Sequence, residues 1–293
     1  MWKLLQIELF KIFRRPRTYI PFAAIAAMIF IIQLGLRFDG LSYMELLMSS
    51  LSDTFNMPYS LMLNGYLVAF VILNTLLIQV PLLVALVAGD MVAGEANMGT
   101  LRLLVTRPVS RTQLMLMKFA ASVIYTVLLL VWMALLALFL SMWIFGTNDM
   151  FIARDTVLEH IREADVMWRY FAAFGYAMVA LSTVAALAFL LSVFAENSIG
   201  PIVATISIVI VLTILSEMRI PIYDNTVKPW LFTSHMLAWK GFFYSRSDGQ
   251  GGTIKGSVEN LPSILRSLGI LLAYIAAFVT TAILAFRKKD ILS

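Results

Sequence analysis

Long runs of apolar residues dominate the chain, and shorter stretches rich in charged residues separate them. A helix rises 1.5 Å per residue, so about 20 apolar residues cross the roughly 30 Å hydrocarbon core of a bilayer. The pattern predicts an all-α, polytopic membrane protein with six transmembrane helices in one domain over residues 1–293. The predicted spans are Tyr19–Leu36, Leu61–Ala88, Phe119–Phe145, Tyr170–Ala195, Ile199–Ser216 and Ser267–Phe286.

The composition supports lipid as the solvent for much of the chain. Hydrophobic residues make up 61% of it and charged residues only 13%, whereas soluble domains have about 45–50% and 25%. Cysteine is absent, which excludes disulfides, thiolate metal sites and cysteine nucleophiles. The net charge of +5 comes from basic residues beside apolar runs, so we expect no nucleic-acid partner.

The placement of Lys and Arg predicts the orientation of the spans. An even number of spans puts both termini on one side, and cytoplasmic segments carry an excess of basic residues. Basic residues cluster in the N-terminal segment, the second connection and the C-terminal tail, which predicts cytoplasmic N- and C-termini. They are Lys3, Lys11, Arg14, Arg15, Arg17, Arg102, Arg107, Arg111, Lys118, Arg287, Lys288 and Lys289.

Residues 1–17 precede the first span and have an amphipathic pattern. On a helical wheel the apolar side chains gather on one arc, which predicts a helix lying flat at the cytoplasmic interface. The basic residues opposite this arc are Lys3, Lys11, Arg14 and Arg15. The alternative is a basic flank that only fixes topology. The apolar arc consists of Trp2, Leu5, Leu9, Ile12 and Phe13.

Two segments are predicted on the exterior side. Residues 217–263 are rich in aromatic residues, as expected at a membrane–water boundary. They fit either short helices over Val227–Tyr244 that re-enter the outer leaflet or an ordinary loop. Residues 146–168 are acidic, and the spacings Glu159 to Arg162 and Asp165 to Arg169 predict a solvated helical cap.

The predicted spans contain no Asp, Glu, Lys, Arg or His. Ion-coupled carriers usually keep such a residue in the membrane, so this class is disfavoured. The chain also has no GxxxxGK[ST] phosphate loop and no HExxH pair, and energy for any transport must therefore come from a partner. We expect the polar residues of the spans to form helix-to-helix hydrogen bonds rather than line a path; they include Gln33, Asn64, Asn74 and Gln79.

The second connection, residues 89–113, has the signals of an ordered cytoplasmic helix. Asp90 and Glu95 suit the positive end of the helix dipole, and Pro108 prevents the helix from continuing. Ser110 with Gln113 forms a capping box that starts the third span. A short helix held between two long spans is suited to transmit force to a soluble partner.

The residues of this connection resemble the permease subunits of ABC-2 type exporters. In that family the connection has an acidic residue, Gly-Thr-Leu, a leucine pair, Pro-Val-Ser-Arg and a Lys at the next span. The C-terminal tail and the six spans also agree. The matching residues are Glu95, Gly99, Thr100, Leu101, Leu103, Leu104, Pro108, Val109, Ser110, Arg111, Lys118 and the tail Phe286-Arg287-Lys288-Lys289-Asp290.

The resemblance implies a non-enzymatic half-transporter in a bacterial cytoplasmic (inner) membrane. Two permease copies, a homodimer or a heterodimer, would assemble with two ATPase subunits that hold ATP and Mg, so this chain needs no cofactor. Residues 94–106 would form the coupling helix, with Glu95 and Arg102 as ion-pairing contacts, and the link at Glu196 a second contact. The implied coupling residues are Gly94, Glu95, Gly99, Thr100, Leu101, Arg102, Arg107, Pro108, Arg111 and Glu196.

Other functions remain open on the sequence alone. A membrane anchor or signalling scaffold would dock a cytosolic ATPase without transport, and it needs the same ordered helix. A polytopic membrane enzyme would need acids or histidines clustered at one depth, which the sequence does not show. The exporter resemblance is compatible with a hydrophobic drug, a peptide or a lipid-like substrate.

Overall fold

The computed structural model describes residues 1–48, 62–100, 110–154, 157–218, 226–246 and 253–289. These residues are mostly helical, with one small two-stranded sheet. The helices are α1 (Trp2–Phe13), α2 (Ile20–Met48), α3 (Gly65–Ala88), α4 (Asp90–Asn97), α5 (Arg111–Ala134), α6 (Ser141–Phe145), α7 (Glu163–Phe194), α8 (Ile199–Glu217), α9 (Phe232–Met236) and α10 (Leu261–Lys288).

Six of the helical segments are long and apolar enough to cross a membrane, as the sequence predicts. Their ends differ from the predicted ends where polar side chains cap them. Asn64 falls inside the predicted second span, but its Oδ1 accepts from Leu67 N at 3.0 Å and α3 begins after it. Ser110 Oγ accepts from Gln113 N at 3.2 Å, so this half of the predicted capping box is confirmed.

Helix α7 is the centre of the bundle. It packs against α3, α5, α8 and α10, and its buried face is rich in small residues such as Ala177, Ala180 and Ala185. Small side chains let helix backbones approach closely, which is how helices associate where lipid removes the hydrophobic driving force. The outer helices α2, α8 and α10 keep wide apolar faces exposed.

The predicted helical cap over residues 146–168 is wrong for residues 150–154 and 157–161, whereas α7 includes residues 163–168. Met150–Arg154 and Val157–Ile161 form antiparallel strands β1 and β2, so the fold is mostly helical with one small sheet rather than all-α. Met150 and Ile152 are buried and Phe151 between them is not, which is the alternation of a strand. In this segment the acid–base spacing therefore predicted the secondary structure incorrectly. The predicted pair from Asp165 to Arg169 does form, inside α7.

The segment before α10 forms short helices, as one of the two sequence interpretations expects. Two 3₁₀ turns, Lys228–Trp230 and Leu237–Phe243, flank α9. Two of its aromatic residues do not lie at a boundary with solvent, because Trp239 and Phe243 are fully buried and pack on Phe70 of α3. The second 3₁₀ turn of this segment therefore contributes to the protein core.

The third span contains a π-helical segment, Leu135–Leu140, between α5 and α6. Gln33 of α2 donates from Nε2 to the Leu136 carbonyl at 3.0 Å and to Ser141 Oγ at 2.9 Å. The predicted use of Gln33 in a helix-to-helix hydrogen bond is confirmed. The side chain supplies a donor where the wider turn alters the backbone hydrogen-bond ladder.

Candidate functional site

Four charged side chains join three helices at the end of the bundle that holds α1. Glu8 of α1 accepts hydrogen bonds from Lys11 at 2.7 Å and from Lys118 of α5 at 2.8 Å. Glu95 of α4 accepts from Lys11 at 2.8 Å, and its other oxygen lies 2.7 Å from Lys118 Nζ. Each carboxylate thus contacts both ammonium groups. We call Glu8, Lys11, Glu95 and Lys118 the charge ring.

The charge ring is largely shielded from solvent. The exposed fraction is 1% for Lys118, 2% for Glu8 and 4% for Glu95, whereas the Lys11 side chain keeps 33% of its surface exposed. An isolated buried charge costs several kcal/mol, and only close pairing with further hydrogen bonds offsets that cost. Two acids and two bases balance formally, so the loss of a buried member would leave an uncompensated charge. The charge ring therefore fixes α1, α4 and α5 relative to one another.

The pKa values at the ring reflect this balance. Burial alone would raise the pKa of Glu8, but the charge of Lys118 and the hydrogen bonds from Lys11 and Lys118 outweigh burial, so this pKa lies below its ordinary value. Burial alone would lower the pKa of Lys11, but hydrogen bonds to Glu8 and Glu95 raise it above its ordinary value. Both shifts favour the charged forms.

We expect the attachment of α1 to be strongest at intermediate pH. A lowered carboxyl pKa stabilises the fold above the unfolded value, about 4.3 for Glu, and this contribution is lost as pH falls through the folded pKa. A raised Lys pKa stabilises the fold below about 10.4, and this contribution is lost as pH rises through the folded pKa. Hydrogen exchange of residues 2–13 should be slowest between these limits. If the protection of residues 2–13 from exchange, corrected for intrinsic exchange rates, is constant from pH 3 to pH 11, this expectation is wrong.

A second acid of α4 anchors the turn between α1 and α2. The Asp90 carboxylate accepts from both Arg15 and Arg17. Gly94 lies one helical turn further along, and a Cβ at this position would overlap the Asp90 carboxylate. Gly94 is therefore required for packing beside Asp90 in this arrangement.

The space between these charged groups is too small for an organic ligand. Its volume is about 30 Å³, room for little more than a water molecule, whereas ligand pockets are about 300–1,000 Å³. This site can hold helices together and transmit their movement, but it is not a substrate site. In the described part of the chain no group of three or more His, Asp or Glu could hold a metal ion.

The polypeptide turns sharply after α4 and is exposed there. Gly99 has a φ of +68°, a left-handed conformation that glycine adopts without strain and that commonly ends helices. Thr100 Oγ1 donates to the Glu95 carbonyl at 3.3 Å. Met98, with 53% of its surface exposed, projects from this turn. We call residues 97–100 the α4 turn.

Two further predicted coupling residues lie at helix ends. Arg111 Nη1 donates to the carbonyls of Phe286, Arg287 and Lys289 at 3.0–3.4 Å, so it caps the C-terminus of α10. Glu196 is exposed in the link between α7 and α8. The α4 helix packs beside both α7 and α8, which places this link on the same side of the bundle as α4.

The structure thus separates the predicted coupling residues into two groups. Gly94, Glu95 and Arg111 make contacts within the chain, and Glu95 is buried in the charge ring. Gly99, Thr100 and Glu196 are exposed. The remaining predicted residues, Leu101, Arg102, Arg107 and Pro108, lie outside the described residues.

Sequence reasoning missed Glu8 as a site residue. It is the first acid of the chain and stands alone among the basic residues of the N-terminal segment. It also lies four residues before the buried Ile12, on the face that packs against α5. A lone acid on the packed face of a basic amphipathic helix is the signal that could have identified it.

Comparison with known proteins shows which family this chain belongs to. The model of a family described as a protein of unknown function, DUF2705, matches residues 22–292. The chain belongs to the DUF2705 family. The match includes Asp90, Glu95 and Lys118, whereas α1 lies before it.

A curated relative is known from Bacillus subtilis (strain 168). The chain is 30% identical over 116 residues to a protein named "Uncharacterized protein YhcI", and the match covers 39% of this chain and 37% of that protein. The DUF2705 chain therefore spans well under two thirds of the length of this relative.

Proposed function

We propose that this DUF2705 protein is the transmembrane permease subunit of an ATP-binding cassette exporter. One observation carries the proposal: the exposed α4 turn is attached, through the buried charge ring, to α1 and to helix α5 of the third span, and α4 itself directly follows helix α3 of the second span. A force applied at this turn would therefore reach several helices together. The resemblance of residues 95–118 to ABC-2 permeases supports the same function.

The proposed contact surface for the ATPase consists of the α4 turn and the link at Glu196. Both are exposed and lie on one side of the bundle. Met98 supplies an apolar contact and Glu196 a charge, a mixture typical of protein interfaces. Glu95 then acts indirectly, because it holds the turn in place through Lys11 and Lys118.

The proposed topology follows from the distribution of basic residues. Both termini, the charge ring and the α4 turn would lie on the cytoplasmic side of a bacterial cytoplasmic membrane, and strands β1 and β2 and residues 226–246 and 253–259 on the exterior side. The exposed Trp2 and Phe10 of α1 would contact the interfacial layer. Two copies would assemble with two ATPase subunits, and the apolar faces of α2, α8 and α10 leave room for lipid and a second copy.

Site-specific photo-crosslinking in cells of the native host tests the assignment. A photoreactive residue at Met98 should crosslink to a cytosolic subunit that carries a P-loop. The matched control is Trp143 of α6, which has 82% of its surface exposed at the other end of the third span and should give no such product. Glu196→Lys should reduce the Met98 product several-fold without lowering membrane insertion.

Two outcomes would contradict the proposal. If the photoreactive residue at Met98 forms adducts only with lipid or with exterior proteins, the α4 turn does not contact the ATPase. Vesicles that contain the crosslinked partner and hydrolyse ATP, yet move no lipophilic dye, peptide or lipid analogue, would favour a membrane scaffold that docks an ATPase without transport.

A further inference from the structure

An open groove with a volume of about 440 Å³ follows one face of α10. One end of it is polar and carries Arg266, and the rest is apolar or aromatic. The charge ring and the α4 turn take no part in it. Its lining residues are Pro229, Trp230, Arg266, Ile270, Ala273, Tyr274 and Ala277.

The wall of the groove is fixed by hydrogen bonds. Tyr274 donates its hydroxyl to the Trp230 carbonyl at 2.5 Å. His235 lies 3.0 Å from the Pro229 carbonyl through Nε2 and 3.0 Å from Ser267 Oγ through Nδ1. The turn that holds Pro229 and Trp230 is therefore tied to α10 at two places. The groove is formed before any ligand enters.

The floor of the groove is narrow and apolar. Ala273 and Ala277 are four residues apart and so lie on one face of α10, one turn above the other. Their small side chains leave a trough beside Tyr274 and the exposed Trp230, which has 76% of its surface accessible. A trough of this shape and size accommodates one extended hydrocarbon chain.

Arg266 supplies a charge at the mouth of the trough. It lies in the second turn of α10 and is exposed, and none of the carboxylates in the described residues forms an ion pair with it. A guanidinium group binds phosphate through paired hydrogen bonds, which a lysine cannot reproduce. A cation at the end of an apolar trough complements an amphiphile with an anionic head.

We propose that this groove binds one anionic phospholipid, with its phosphate at Arg266 and an acyl chain along Ala273 and Ala277. The inference goes beyond the permease assignment and requires only that the chain is inserted in a bilayer. A second copy of the chain is the less suitable occupant. A twofold contact centred on the groove would bring two Arg266 side chains together, and their like charges oppose it.

Fluorescence quenching by brominated lipids tests the proposal on the isolated, full-length chain. The protein is placed in phosphatidylcholine vesicles that contain a minor fraction of brominated phosphatidylglycerol, or the same fraction of brominated phosphatidylcholine. Subtraction of a Trp230→Phe variant isolates the signal of Trp230 from the other tryptophans. We expect Trp230 to prefer the anionic lipid about fivefold, as one basic contact allows.

Matched variants test the contribution of the charge and that of the trough separately. Arg266→Gln should abolish the preference for the anionic lipid, whereas Lys255→Gln, at an exposed lysine outside the groove, should retain it. Ala277→Leu fills the trough and should reduce quenching by both brominated lipids, whereas Ala276→Leu, on the adjacent face of α10, should not.

Several results would overturn the inference. Equal quenching by the two brominated lipids in the unmodified protein would show that the groove does not select an anionic lipid. An unchanged preference in Arg266→Gln would show that Arg266 does not bind the lipid phosphate. A disulfide between two copies of an Ala277→Cys variant in native membranes would show that protein covers the groove. The quenching measurement needs no ATPase. A negative result would therefore refute lipid binding in the groove without bearing on the permease assignment, which the crosslinking experiment tests.

Discussion

The substitution Lys118→Met is expected to lower the free energy of unfolding by about 3–5 kcal/mol, the cost of breaking a buried ion pair by removing one partner. Methionine keeps the length of the side chain but removes the charge that lies between Glu8 and Glu95. The two carboxylates would then share Lys11 alone, and repulsion between them would loosen α1 from α4. Chemical unfolding in detergent and hydrogen exchange of residues 2–13 measure both effects.

The control for this prediction is Lys3→Met, which removes an exposed charge from α1 and should change stability by less than about 0.5 kcal/mol. The double variant Glu8→Gln with Lys118→Met should be more stable than Lys118→Met alone, because it also removes one of the two acids that would otherwise share Lys11. If Lys118→Met and Lys3→Met unfold at the same denaturant concentration, the charge ring does not hold the three helices together.

The loss of Lys118 should also affect coupling if the proposed function is correct. The α4 turn would still be exposed and could still bind the ATPase, but its link to α1 and α5 would be weakened. We therefore expect a complex that hydrolyses ATP with reduced dependence on transported substrate. Retention of full coupling in a destabilised Lys118→Met protein would restrict the ring to a role in folding.

Arg169→Met is the substitution expected to have the next largest effect, also about 3–5 kcal/mol. Arg169 is fully buried in α7 and lies 2.7 Å from Asp165 through Nη2. It also donates to the carbonyls of Phe242 and Ser257, the latter at 2.8 Å. Its loss would leave Asp165 without its cation and two partly buried carbonyls without this donor.

The consequence should be local to the predicted exterior side. Segments 226–246 and 253–259 should become sensitive to added protease in intact vesicles, while α1 keeps its protection from exchange. Arg162→Met, at an exposed arginine just before α7, is the matched control and should leave protease sensitivity unchanged. Equal cleavage rates in the two variants would show that Arg169 does not fasten these segments.

The spans could be predicted from the sequence because their signal is local and strong. A run of 20 apolar residues has few alternatives to a membrane helix, and the six predicted runs agree with six helices of suitable length. The strand pair Met150–Arg154 and Val157–Ile161 was not predicted, because acid–base spacing favoured a helix. The pairing depends on the burial of Met150, Ile152 and Ile161 against the bundle, which only the structure shows.

The candidate site was only partly predictable for a different reason. Glu95 stood out within its motif, but its partners Glu8, Lys11 and Lys118 are separated from it by 87, 84 and 23 positions in the sequence. Pairing over such distances depends on how α1 folds back against α5, which no local pattern encodes. Similarly, Trp239 and Phe243 matched the composition of a membrane boundary, and only packing against α3 and α7 showed that they are buried.

The π-helical segment Leu135–Leu140 changes how the third span must be mapped. A π turn takes up one residue more than an α turn, and one residue corresponds to a rotation of about 100° around a helix axis. Side chains of α6 therefore point in directions that a continuous helical wheel drawn from Arg111 assigns incorrectly. Scanning mutagenesis of this span should use two separate wheels, one on each side of the segment, or residues facing lipid will be mistaken for residues facing the bundle.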